Sequence, residues 1–261
     1  MKVTVIGSGS AYGVPSAGNY WGDCDPANEK NRRSAPSILV ETEQTKLLVD
    51  MGPDFREQSN RHNITTLDGI LFTHGHADHI MGNFHLPRMM MYYPDSNLPL
   101  YALLQTRADI ERVFYYQHEA NNRTKYSGAG RPVWHDITPY ESFTVGDMDV
   151  LPLRQEHGRI DSLGFRFGDF AYSTDFNSFP EETYDGLKNL DCWLVECNSL
   201  TQNKSHEFKH QYLENVLDFI DRIKPRQTYL THMDPSMDFD TVTAMLPPNV
   251  HLAYDGLELN F

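Results

Sequence analysis

Residues 72–82 read FTHGHADHIMG and put three histidines and an aspartate into the six positions from His74 to His79. Neutral imidazole nitrogens and carboxylate oxygens are the donors that borderline divalent metals take, so this density points to cation binding. The apolar run GILFT ends at His74, which sets the motif at the C-terminal end of a buried strand, where α/β sheets place their sites. His74 and His76 lie two apart and leave an extended chain on one side, while Asp78 and His79 open a helix and turn back towards the same point. A solvated loop would explain one such histidine, but it does not explain four donors after a buried strand.

Three other apolar runs end in a donor: LPLRQEH at His157, FAYSTD at Asp175 and TYLTH at His232. Each alone could cap its strand, but together they aim ligands at one edge of a core. Alternating and β-branched stretches predict strands over 3–6, 36–42, 46–50, 69–73, 98–102, 148–153, 163–167, 169–173, 192–196, 228–231 and 250–254. Helices are expected over 53–62, 78–84, 105–119, 180–189, 210–223 and 238–246. In the 210–223 stretch, Leu213, Val216, Leu217 and Ile220 form the stripe of a helix lying on a sheet. Meander pairs mixed with β–α units favour two sheets with helices outside over a doubly wound parallel sheet.

With 261 residues, 39% hydrophobic content and neither repeats nor a linker, one domain over 1–261 is the simplest organisation. No apolar run is long enough to span a membrane, and MKVTVIGSGS reads as a first strand rather than a secretory leader. The three cysteines are odd in number, with Cys192 and Cys197 expected on opposite faces of one strand, so a reducing cytoplasm fits. A net charge of −14 opposes binding to large RNA or DNA, although bound cations would still admit a small anionic substrate. GSGSAYG at 7–13 follows a strand, but the third glycine of a dinucleotide fingerprint would fall on Tyr12, so a turn near the mouth of the site is the better reading.

Across its length the chain resembles the metallo-β-lactamase superfamily, through the H-x-H-x-D-H loop, the later donors and the Val49-Asp50-Met51-Gly52 turn. That resemblance implies an α/β (α+β) protein, a four-layer αββα sandwich, with an insertion at about 85–140. It implies two divalent metal ions, zinc or manganese: His74, His76 and His157 on one, Asp78, His79 and His232 on the other, Asp175 bridging, and Asp50 supporting the ligands. Within the superfamily the chain is similar to the phosphoribosyl cyclic phosphodiesterases of phosphonate breakdown and their tRNA 3′-endonuclease relatives. G-S-G-S-A-x-G-V-P, R-R-S-A-P-S-I-L-V over 32–40, and H-x-x-L-x-x-V-L from His210 carry this likeness.

Hydrolysis of small cyclic or nucleotide-like phosphodiesters by a shared hydroxide follows, with His210 as general acid and Asp78 as the other catalytic group. His206 competes for the acid role, and a helix cap is the plain alternative for His210. The family's C-x-C-x-x-C zinc loop is reduced here to Gly22, Cys24 and Ala27, with Pro235 where a histidine would complete it, so that loop is expected to be metal-free. Between 85 and 140, LPRMMMYYP reads as core or subunit contact, and a homodimer follows from it and from the resemblance. Arg123, Lys125 and Arg131 sit in a loop that could meet phosphate, though a solvated loop is the simpler reading. A thioester or lactone hydrolase, or a non-catalytic metal-binding accessory protein of cofactor biosynthesis, would share the metal ligands.

Overall fold

The β-branched runs do form strands, and those that carry a donor end at it or within three residues of it. The computed structural model describes residues 1–92, 97–118, 131–202 and 210–261. In chain order the strands are β1 (Lys2–Gly7), β2 (Ser37–Glu41), β3 (Lys46–Val49), β4 (Gly69–Leu71), β5 (Asn97–Ala102), β6 (Arg131–Asp136) and β7 (Phe143–Val145). They continue with β8 (Met148–His157), β9 (Ile160–Phe167), β10 (Phe170–Ser173), β11 (Cys192–Glu196), β12 (Gln227–Thr231), β13 (Val250–Leu252) and β14 (Leu257–Asn260). Helices are α1 (Phe55–Arg61), α2 (Ala77–Ile80), α3 (Leu86–Met89), α4 (Leu104–Val113), α5 (Tyr115–His118), α6 (Glu181–Gly186), α7 (Leu213–Ile223) and α8 (Phe239–Thr243).

Two seven-stranded mixed sheets result, ordered β14-β1-β2-β3-β4-β5-β6 and β13-β12-β11-β10-β9-β8-β7. Each sheet is antiparallel at one end and parallel at the other: β3-β4-β5-β6 run parallel in the first, and β10-β11-β12-β13 in the second. Parallel neighbours end on the same side, and that is what gathers the strand-end donors. Val3, Val40, Leu71, Phe165 and Leu194 pack between the sheets. Separate apolar layers, around Phe72 and Ile110 on the first sheet and around Trp193 and Val216 on the second, seat the helices outside. This is the four-layer αββα sandwich expected from the sequence. Among the described residues no helix is long and apolar enough to cross a membrane.

The differences from expectation are local. β6, β7 and β14 were not legible; β14 pairs with β1 at the edge of the first sheet, where one face needs no apolar residue. Expected helix 78–84 is a short α-turn followed by a 3₁₀ turn over Met81–His85, and expected helix 105–119 breaks at Phe114. The strand read as 148–153 runs on to His157, because β8 stays paired with β9 to that residue. Helix 210–223 begins only at Leu213, since Tyr212 is extended and bridges Ser199. Lys224 ends it in the left-handed region, its N–H donating to the Ile220 carbonyl before Pro225. Met89 and Met90 of the Met/Tyr run are buried in the core, while Met91 is exposed. Arg123, Lys125, the side chain of Arg131, and His206 lie outside the described residues.

Candidate metal centre

The seven donors named from the sequence meet at one edge of the sandwich. His74 and Asp50 follow β4 and β3 in the first sheet; His157 ends β8, Asp175 follows β10 and His232 follows β12 in the second. They fall into two groups that share Asp175. His74, His76 and His157 lie around one of its oxygens, and Asp78, His79 and His232 around the other, with donor atoms in each group within 4.8 Å of one another. Asp175 Oδ2 is 3.7 Å from Nε2 of both His74 and His157. Its Oδ1 is 3.3 Å from His79 Nε2 and 3.1 Å from His232 Nε2. Asp78 Oδ2 closes the second group, 3.1 Å from His79 Nε2 and 3.4 Å from His232 Nε2. His157 Nε2 approaches His76 Nδ1 at 3.2 Å in the first.

Contacts behind the donors fix them. His79 Nδ1 is 2.6 Å from Asp50 Oδ2, and Asp50 is held in turn by the Thr73 N–H and hydroxyl, both at 2.8 Å. Thr174 Oγ1 donates to Asp175 Oδ1 at 2.7 Å, and Asn198 holds the His232 carbonyl at 3.1 Å. Asp50, Asp175 and His232 all have positive φ, at 64°, 51° and 58°. Backbone of this kind costs about 1–3 kcal/mol per residue and persists where the surroundings enforce it, which is common at functional sites.

The charges fit divalent cations. Asp50, Asp78, Asp175 and Glu196 are buried, and their ion-pair partners among the described residues are all histidines. Buried carboxylates without a permanent cation are costly. Nε2 of His74 and of His79 is buried without a hydrogen-bond partner. Burial lowers His79, but the carboxylates of Asp78, Asp50 and Asp175 outweigh it and hold the ring well above its ordinary pKa. Burial and the charge of His79 push His74 well below its own. Burial also brings His157 down to about 4. The cluster therefore draws positive charge to its centre, while burial favours the neutral rings of His74 and His157, the form in which imidazole binds a metal.

His210 stands beside this centre, 18% exposed where the side chains of His74, His157 and His232 are at most 1% exposed. It lies in the chain segment before α7, so it is not the cap of that helix; Tyr212 is. Its Nδ1 is 3.8 Å from Asp175 Oδ2 and 3.0 Å from Glu196 Oε2. Burial lowers its pKa, but Glu196 and Asp175 outweigh that and raise it to about 9. Glu196 was missed in the sequence, although it ends the wholly buried strand CWLVE much as Asp175 ends FAYSTD.

Cys24 takes no part in either donor group and sits in a knot of its own. Its thiol donates to the Pro235 carbonyl at 3.4 Å, and Gly22 is packed so that a Cβ would lie 2.6 Å from Pro235. Arg33, 2% exposed, donates to the Met237 carbonyl at 2.6 Å and Asn31 Oδ1 at 3.2 Å.

A model of the beta-lactamase superfamily domain matches residues 45–233. A diphosphatase of the PhnP family superposes with a TM-score of 0.88 at 30% identity, over 100% of this chain and 97% of that one. An octanoyltransferase of Porphyromonas gingivalis is 32% identical over 260 residues, 99% of this chain and 51% of that protein. A ribonuclease Z of Methanopyrus kandleri is 27% identical over 131 residues, 48% of this chain and 41% of its own length. The chain spans about half the length of the curated relatives it matches. The family match covers most of the strands whose ends carry the donors, and the chain belongs to the metallo-β-lactamase superfamily.

Proposed function

We propose that the protein is a two-metal hydrolase of small cyclic or nucleotide-like phosphodiesters. One observation carries the reading: the Asp175 carboxylate turns one oxygen to each histidine group, the arrangement of a ligand shared by two cations. His74, His76 and His157 would hold one cation, and Asp78, His79 and His232 the other. Cations there would supply a nucleophilic hydroxide at neutral pH and Lewis-acid charge for the phosphoryl oxygens. Asp50, through His79, fixes the ring orientation that ligation needs.

His210 supplies what remains. Its ring is partly exposed beside Asp175, and Glu196 accepts from Nδ1–H, which leaves Nε2–H available for a leaving alkoxide. Glu196, 3.0 Å from Nδ1, favours the protonated ring that the acid role needs. Likeness to a PhnP-family diphosphatase over nearly both whole chains supports phosphorus–oxygen chemistry. The net charge of −14 supports a small substrate over a large nucleic acid.

The test is hydrolysis of an aryl phosphodiester by zinc- or manganese-loaded protein, with His210→Ala alongside. Metal-dependent turnover that falls roughly 10²-fold or more in the variant is expected, the usual size of a general-acid contribution. A second reading, acyl-ester or thioester hydrolysis, is favoured by the likeness to an octanoyltransferase. It predicts acyl turnover that is indifferent to His210→Ala. Full metal occupancy with no turnover of either substrate class would leave a non-catalytic binding role.

A further inference from the structure

The turn after β1 plays no part in the reaction as proposed, yet it is attached one residue from the last ligand. Ser10 N–H donates to the Met233 carbonyl at 2.9 Å, Gly9 bridges Met233 as well, and Met233 follows His232. Gly13 N–H returns to the Ser10 carbonyl at 2.9 Å, closing a four-residue turn with Tyr12 at its tip.

The turn is held firmly. The buried Asp255 carboxylate accepts from the N–H and hydroxyl of Ser8 at 2.9 and 2.8 Å, and from those of Ser34 at 2.8 and 2.7 Å. Val14 and Arg33 exchange both backbone hydrogen bonds at 2.8 Å. Gly13, at φ +63°, lies against Arg33 so closely that a Cβ would sit 2.8 Å from the Arg33 carbonyl oxygen. On this fixed support Tyr12 is 80% exposed, with no ring or hydrogen-bond contact among the described residues. An aromatic side chain carried on a rigid turn gives up little conformational freedom when a flat group stacks on it.

We infer that Tyr12 stacks on the base of a nucleotide whose phosphate occupies the centre between Asp175 and His210. The inference names the substrate class for the phosphodiesterase reading and rests on it. In an acidic chain, general attraction for phosphate is weak, so a neutral contact is what the region beyond the cations can add. Stacking accepts any base, since every base offers a π-face, so Tyr12 selects for the presence of a base and not for its identity.

Calorimetric titration of zinc-loaded protein with AMP and, separately, with ribose 5-phosphate isolates the base, because the two share sugar and phosphate. The wild type is expected to bind AMP about tenfold more tightly. That preference should fall to about unity in Tyr12→Ala and persist in Tyr12→Phe. Equal affinities in the wild type, or a preference that survives Tyr12→Ala, would overturn the inference. Turnover of a nucleoside 2′,3′-cyclic phosphate by the same preparations reports on the reaction separately. Turnover without base preference removes Tyr12 from the account; base preference without turnover keeps the base contact and removes the phosphodiesterase reading.

Discussion

Two buried polar clusters draw on the chain from His232 to Asp238, and they treat their charges in opposite ways. In the knot around Arg33, donors meet acceptors within the protein: guanidinium to Met237 carbonyl and Asn31 Oδ1, Asn31 Nδ2 to Asp238 Oδ2 at 2.8 Å, thiol to Pro235 carbonyl, with Arg33 Nε the one guanidinium nitrogen left over. In the centre around Asp175, carboxylates and imidazole nitrogens converge and leave the buried Nε2 atoms of His74 and His79 without a hydrogen-bond partner. Density of polar residues is common to both. Convergence without mutual satisfaction marks the site.

The strongest way to break this contrast is Asp175→Asn. Loss of the shared ligand should remove cations from both groups, measured as metal content per chain, and should lower turnover by more than the roughly 10–100-fold that a supporting contact costs. Retention of two tightly held cations would mean that Asp175 does not bridge. Asp50→Asn comes next: His79 loses its partner, and metal affinity in a chelator competition should fall about 10–100-fold. Arg33→Met probes the other cluster. Its unfolding free energy should drop by about 1–3 kcal/mol as the Met237 carbonyl loses its guanidinium donor and Asn31 Oδ1 keeps only the Phe239 N–H, with metal affinity kept within about twofold. A large loss of metal there would erase the distinction between the clusters.

The smallest effect expected is a displacement in pH. As the proposed general acid, His210 works only in its protonated form, so the rate should fall as pH rises through its raised pKa. Glu196 favours the protonated ring, and Glu196→Gln should therefore move that alkaline limb to lower pH. An unmoved limb in the pH–rate profile would separate Glu196 from His210.

What was legible in the sequence follows the same contrast. Strand ends such as GILFT-His74 and TYLT-His232 can be read because a largely buried strand makes a nearly continuous apolar run, and the donor at its end then stands out. Glu196 obeys that pattern but stands in no dense motif of donors, and it was passed over. β14 has only Leu257 and Leu259 to signal it, on an edge where the other face meets water. The stripe of α7 begins close enough to His210 for the sequence to predict a helix there; periodicity cannot show that Tyr212 prefers a bridge to Ser199 over another turn of helix. The Arg33 knot was invisible, since its partners come from residues about two hundred positions apart.

The positive φ of Asp50, Asp175 and His232 also limits how an inactive variant of this protein should be built. Asparagine tolerates left-handed backbone and glycine adopts it freely, whereas a β-branched replacement would strain the chain whatever its side chain did. Valine at 175 would therefore confuse a misfolded protein with a silenced one, and asparagine there gives the cleaner instrument for asking what the cations do.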